Sequence, residues 1–110
     1  MSSPATARTQ STSNAPTGDQ GQKLLVEGQS MALRLWDEHG HHPGASTDLH
    51  AHDYEVLGYV ISGTGRLHLE DDVLELKPGT SWVVPPNVKH RYEITDTLTA
   101  VEASSPPARG

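Results

Sequence analysis

The chain contains no cysteine and no phenylalanine. The first absence excludes disulfide bonds and thiolate metal ligation. The second, with only 34% hydrophobic residues over 110 positions, restricts the chain to one small domain with a modest core. A bound metal or a second subunit is an expected aid to its stability. Basic residues are also scarce: eight Lys and Arg stand against fourteen Asp and Glu, a net charge of −6, and they form no cluster. Nucleic acid and anionic membranes are therefore not expected partners. No apolar run approaches the roughly 18 residues of a membrane span, and the first residues lack the apolar segment of a secretory signal. The expected location is the cytoplasm. Histidine, by contrast, is abundant: there are seven, all from His39 to His90.

The opening stretch, MSSPATARTQSTSNAPTGDQGQ, is rich in Ser, Thr, Pro, Gly and Gln. Such a composition buries too little apolar surface to order itself, so residues 1–22 are expected to be a disordered tail. Residues 23–104 form the expected domain, and 105–110 a short C-terminal tail. Within the domain, Met31, Leu33 and Leu35 alternate as a half-buried strand does. DEHGHHPGASTD reads as a loop. VLGYVISG, from Val56 to Gly63, is a short apolar run ending in glycine, as in a strand buried on both faces. RLHLE-DD-VLELKPG reads as a hairpin turning at Asp71-Asp72. SWVV stops at Pro85-Pro86, and KHRYEITD and LTAVEA supply two further strands. Strands recurring every 8–12 residues without a helical pattern define an all-β sandwich or barrel.

His50 and His52 are separated by one residue, so on an extended backbone both rings face the same way. From His90, alternation sets His90, Tyr92 and Ile94 on the apolar, inward side, and Arg91 and Glu93 on the other. An inward histidine requires a partner. That partner is either a backbone carbonyl or a metal ion shared with His50 and His52. Parity also places Val56 toward the same side as His50 and His52, and Glu55 away from it, unless a β-bulge intervenes. Gly58 shares that parity and would leave space above an ion, with the Tyr92 hydroxyl nearby. Trp36 and Trp82 read as core or interface. His39, His41 and His42 read as a solvated loop cluster, and His68 as exposed.

These segments resemble the paired motifs of the cupin superfamily. The first motif, G-x5-H-x-H-x3/4-E-x6-G, is matched by Gly44, His50, His52 and Gly63. The second, G-x5-P-x-G-x2-H-x3-N, is matched by Gly79, Pro85 and His90, with Asn87 in place of its second glycine and Ile94 in place of its final Asn. Asn tolerates the left-handed backbone better than other non-Gly residues, so the turn is expected to survive. Fifteen residues, Thr64 to Pro78, separate the motifs. Aligned on YVISG, the glutamate position of the first motif falls on Val56, with Glu55 one residue early.

The resemblance implies a small, single-domain cupin jelly-roll β-barrel (a double-stranded β-helix). It implies a divalent transition metal, Fe, Zn, Ni, Mn or Cu, on His50, His52 and His90, with Glu55 as the weakest of four candidate ligands and Tyr92 as the candidate catalytic residue. Three neutral imidazoles with open positions suit a non-haem Fe(II)-type dioxygenase or a Zn-bound water. The alternatives are a non-catalytic cupin that binds or senses a small molecule, and a metal-free barrel. Leu57, Tyr59 and Ile61 point outward with little to cover them. A homodimer burying that face, or the strand near Leu24-Leu25, is the expected assembly.

Overall fold

Apolar residues at every second position, broken by Gly, Pro and paired Asp, dictate strands, and the computed structural model consists almost entirely of them. It describes residues 7–18, 21–38 and 49–107. Six strands are present among these: β1 (Lys23–Glu27), β2 (Ala32–Glu38), β3 (Glu55–Leu69), β4 (Val73–Leu76), β5 (Ser81–Val84) and β6 (His90–Ser105). All pairings are antiparallel, in the order β1-β2-β6-β3-β4, with β5 also on β3. No helix among the described residues is long and apolar enough to cross a membrane.

Two strands are longer than the sequence pattern suggests. VLGYVISG and RLHL join into the 15-residue β3, and KHRYEITD and LTAVEA into the 16-residue β6. Their shared ladder slips between Val60 and Ser62 and again around Gly63 and Thr64. These irregularities let the ribbon bend without ending either strand. Gly63 sits at the bend with φ +81, and a Cβ there would lie 1.4 Å from the Thr97 carbonyl oxygen. Only glycine fits that backbone approach.

The bent ribbon forms two walls. The first half of β3 pairs with the second half of β6, with β5 on one side and β2 on the other. The second half of β3 pairs with the first half of β6 and with β4. Val56, Val60, Leu67, Leu76, Trp82, Val84, Leu98 and Ala100 from both walls meet in one core, with Tyr92 and Ile94 packed against it. The hairpin at Asp71-Asp72 forms as expected, and Leu69 N–H donates to the Asp72 carbonyl at 2.8 Å.

Two expectations need correction. β3 is not buried on both faces: Leu57, Tyr59 and Ile61 are exposed, because among the described residues no second layer covers that side. On β2 the period is right but the face is reversed. Met31 and Leu33 are exposed, while Ala32 is buried and Arg34 and Trp36 share its inward parity. The described residues that precede β1 lie along it. Thr17 bridges Lys23, Leu24 N–H donates to the Pro16 carbonyl at 2.8 Å, and Arg8 donates to the Glu27 carbonyl. Backbone groups of an edge strand hold a segment that has little apolar surface of its own.

Candidate metal centre

Backbone pairing brings the three motif histidines together. His50 and His90 form an isolated antiparallel bridge that exchanges both hydrogen bonds: His50 N–H to the His90 carbonyl at 3.0 Å, and the reverse at 2.9 Å. His52 is fixed from the other motif, because Asn87 N–H donates to its carbonyl at 2.7 Å. Asn87 has φ 67, the left-handed conformation that the second motif's glycine would supply. That turn lets the chain reverse after Pro85-Pro86 and reach His52.

Ligand atoms of His50, His52 and His90 all lie within 4.8 Å of one another. The ring centroids are 5.1 Å apart for His50–His52 and His50–His90, and 5.5 Å for His52–His90. His90 is buried, His52 half-buried and His50 exposed, so the cluster opens to solvent on the His50 side. His90 Nδ1 is 2.9 Å from the Val88 carbonyl. A carbonyl can only accept, so Nδ1 carries the proton and Nε2 offers its lone pair. Burial, the neighbouring histidines and Arg34 push the His52 pKa below its ordinary value. Burial outweighs the Val88 hydrogen bond and lowers that of His90 as well. Neutral rings with lone pairs directed at a common point are what a borderline divalent ion requires. The donor set therefore fits such an ion, which His50, His52 and His90 would hold.

The remaining sequence candidates separate. Glu55 is exposed while Val56 is 2% exposed and in the core, and among the described residues no carboxylate joins the histidine group. Tyr54, just before them and on the parity of His52, stacks on the His52 ring at 4.6 Å with an interplanar angle of 9°. Gly58 does not leave free space: a Cβ there would lie 2.1 Å from the Trp82 ring, which fills the gap. Tyr92 is inward, with its ring 5.6 Å from that of His90. His68 is not simply exposed, since its Nε2 lies 2.7 Å from Glu93 Oε1. His39, His41 and His42 lie outside the described residues.

Sequence reasoning missed a buried polar network beside the histidines. Glu102, on the inward face of β6, is 3% exposed. Its Oε1 accepts from Arg34 Nε at 2.8 Å and from Trp36 Nε1 at 2.6 Å. Its Oε2 accepts from the Tyr92 hydroxyl at 3.2 Å, which in turn accepts from Trp82 Nε1 at 3.2 Å. Arg34 packs over the Trp36 and Tyr54 rings, 5.5 and 5.9 Å from their centroids. Burial opposes its charge, yet Glu102 and Tyr54 together hold its pKa above the ordinary value. Burial and the adjacent Glu102 raise the Tyr92 pKa well above its ordinary value, so its proton stays on. The available signal was a lone acid in an apolar strand: Glu102 interrupts LTAVEA, and a buried charge is more informative than an exposed leucine.

An antiparallel β-barrel with a three-histidine cluster at its mouth defines the class of protein. The family follows from the sequence itself: the profile of the family described as Cupin domain matches residues 38–103, and the chain belongs to that family. Solved structures agree on the fold. An RmlC-like cupin from Shewanella frigidimarina shares 19% identity with a TM-score of 0.73, over 92% of each chain. A conserved protein with a double-stranded β-helix domain from Klebsiella pneumoniae shares 21% identity with a TM-score of 0.69, over 96% of this chain and 95% of its own. KdgF from Halomonas sp. shares 20% identity with a TM-score of 0.63, over 77% and 78%. A search of curated proteins finds no match.

Proposed function

We propose that this cupin is a cytoplasmic metalloprotein that holds a divalent transition metal on His50, His52 and His90 and carries out dioxygenase-like chemistry on a small molecule. The observation that carries this reading is the convergence of three histidine nitrogens within 4.8 Å, with the His90 tautomer set by the Val88 carbonyl. A redox-active ion on such a set would supply activation of O₂. The chain's own residues do the rest. Three neutral ligands leave the charge of the ion uncompensated, which favours an anionic substrate beside it. Tyr54 stacks on the His52 ring, and Tyr92, its ring 5.6 Å from that of His90, keeps its hydroxyl protonated between Glu102 and Trp82.

Elemental analysis of protein purified without chelators is expected to show one metal per chain, and none in His50→Ala/His90→Ala. A metal-free wild type would overturn the reading. Oxygen uptake against diketones, catechols, flavonols and thiols then identifies the substrate group. Metal without uptake would favour a binding cupin over an enzyme.

We also propose that the functional unit is a homodimer. On the outer face Leu33 pairs with Ala103, Ala103 with Leu57, and Leu57 with Val83, a row across four strands that carries no charge. An uncharged, exposed apolar row matches another of its kind. A two-fold axis would set this row against its own copy as one sheet on another.

A further inference from the structure

Among the described residues, one cation points into the barrel on the site side. Arg34 shares the inward parity of Ala32 and Trp36, whereas Lys23 pairs with the outward Leu35, and Arg66 and Arg91 flank the inward Leu67 and Tyr92. Its side chain is only 13% exposed. A guanidinium carries five N–H donors in a planar fork. Glu102 takes the Nε edge at 2.8 Å, and the remaining terminal edge lies beside Tyr54, whose ring stacks on His52. Arg34 is thus aimed past Glu102 toward the histidine cluster.

A purely structural role explains this poorly. Taking two charges out of water costs about as much as their attraction returns, and apolar residues of similar volume would hold a barrel equally well. The wall already shows that solution at Val56, Val60 and Ala100. The network is instead a device that fixes the guanidinium through Glu102 and holds its terminal edge against the Tyr54 hydroxyl, an acceptor that a ligand carboxylate can replace. Glu102 receives three donors, which makes it a poor proton acceptor and a good anchor.

We infer that Arg34 is the specificity-determining residue of the site: its terminal N–H edge binds the carboxylate of a small organic acid whose other end lies against the three histidines. Glu102 is the positioning residue that holds Arg34 in that orientation. Planar carboxylate matches the guanidinium fork in a bidentate manner. A phosphate dianion would call for further cations, and the register directs Lys23, Arg66 and Arg91 outward. This assignment names a substrate class for the site proposed above and rests on that reading for the ligand's far end.

The test is a calorimetric titration of wild-type protein with acetate, pyruvate, 2-oxoglutarate and benzoate, each paired with its primary amide. At least one acid is expected to bind tenfold or more tightly than its amide. Arg34→Lys keeps the charge without the fork and should weaken that acid several-fold. Arg34→Gln alone leaves the Glu102 carboxylate without its cation and endangers folding. Arg34→Gln/Glu102→Gln removes both charges at nearly constant shape, and should bind acid and amide alike. In parallel, the Arg34 Nε–H resonance, identified by its loss in Arg34→Lys, should shift when the acid is added. Equal binding of every acid and amide, no binding at all, or a preference that survives the double variant would overturn the assignment. A metal-free protein that still prefers the acid through Arg34 would sink the metal reading and leave this one standing.

Discussion

Two ion-pair clusters on this barrel have nearly the same geometry and opposite settings. Arg34 Nε and Glu102 Oε1 are 2.8 Å apart, with side chains 13% and 3% exposed; Arg66 Nε and Glu75 Oε2 are 3.0 Å apart, with side chains 43% and 66% exposed. Arg66 also approaches Glu93 at 3.5 Å, and Glu93 meets His68 at 2.7 Å. On the outer surface water and salt screen the charges, and such pairs contribute little. Inside, each member depends on the other, since no water can replace a lost partner. Distance alone does not distinguish the two clusters; solvent does. The buried one sits beside the three motif histidines and the exposed one does not, so the expensive arrangement falls next to the candidate metal centre.

Glu102→Ala should break the contrast most severely. It removes the carboxylate to which Arg34, Trp36 and Tyr92 all donate and leaves the Arg34 charge without its counter-ion, and the expected loss is about 3–5 kcal/mol in urea denaturation. A loss comparable to that of an exposed pair would show that water enters the barrel. His90→Ala comes next. It should cost the zinc-induced rise in melting temperature entirely, while His68→Ala, equally a histidine on an ion-pair cluster, should keep it.

Acid titration sharpens the same division. His52 and His90 have pKa values lowered in the fold, so the unfolded chain takes up protons first as pH falls. Stability of the metal-free protein is therefore full above the ordinary histidine value of about 6.5 and is lost as pH drops through the lowered values. His52→Gln/His90→Gln should flatten that slope in denaturation curves recorded from pH 7 to 5. On the outer cluster, His68 and then Arg66 hold the Glu93 carboxyl below its ordinary range. Its contribution is present above the ordinary carboxylate value and disappears as pH falls through the lowered one, and solvent exposure keeps it small.

Two substitutions on the outer surface complete the series. Leu57→Lys places a charge in the middle of the uncharged row and should convert a dimer to a monomer by light scattering, with the metal site retained. Arg66→Ala should leave the denaturation midpoint where it was.

The sequence was readable wherever chemistry repeats with the strand period. His50, His52 and His90 could be assigned to one side by parity, and Asn87 to a left-handed turn because it stands where the second cupin motif has glycine. Glu55 could be set apart from Val56 by counting. The length of β3 and β6 was hidden because a bulge preserves pairing while disrupting the pattern that signals it. Arg34 was hidden for another reason. Met31, Leu33 and Leu35 alternate convincingly, and apolar residues were assigned to the inside. A sheet with an apolar outer row and a polar inner site inverts that rule, and alternation carries no sign that says which face is which.

Arg34 and Glu102 are 68 residues apart, and among the described residues β2 finds its long-range partner in β6. Chains emerge from the N-terminus onward, so Arg34, His50 and His52 all exist before either His90 or Glu102. The last strand therefore supplies both the final histidine and the anchor of the cation. Until it docks there is no triangle of nitrogens and no fixed guanidinium, and a chain halted early exposes neither. The docking of β6 is thus the step that assembles the site, and any ligand it takes would report that this strand has reached its place.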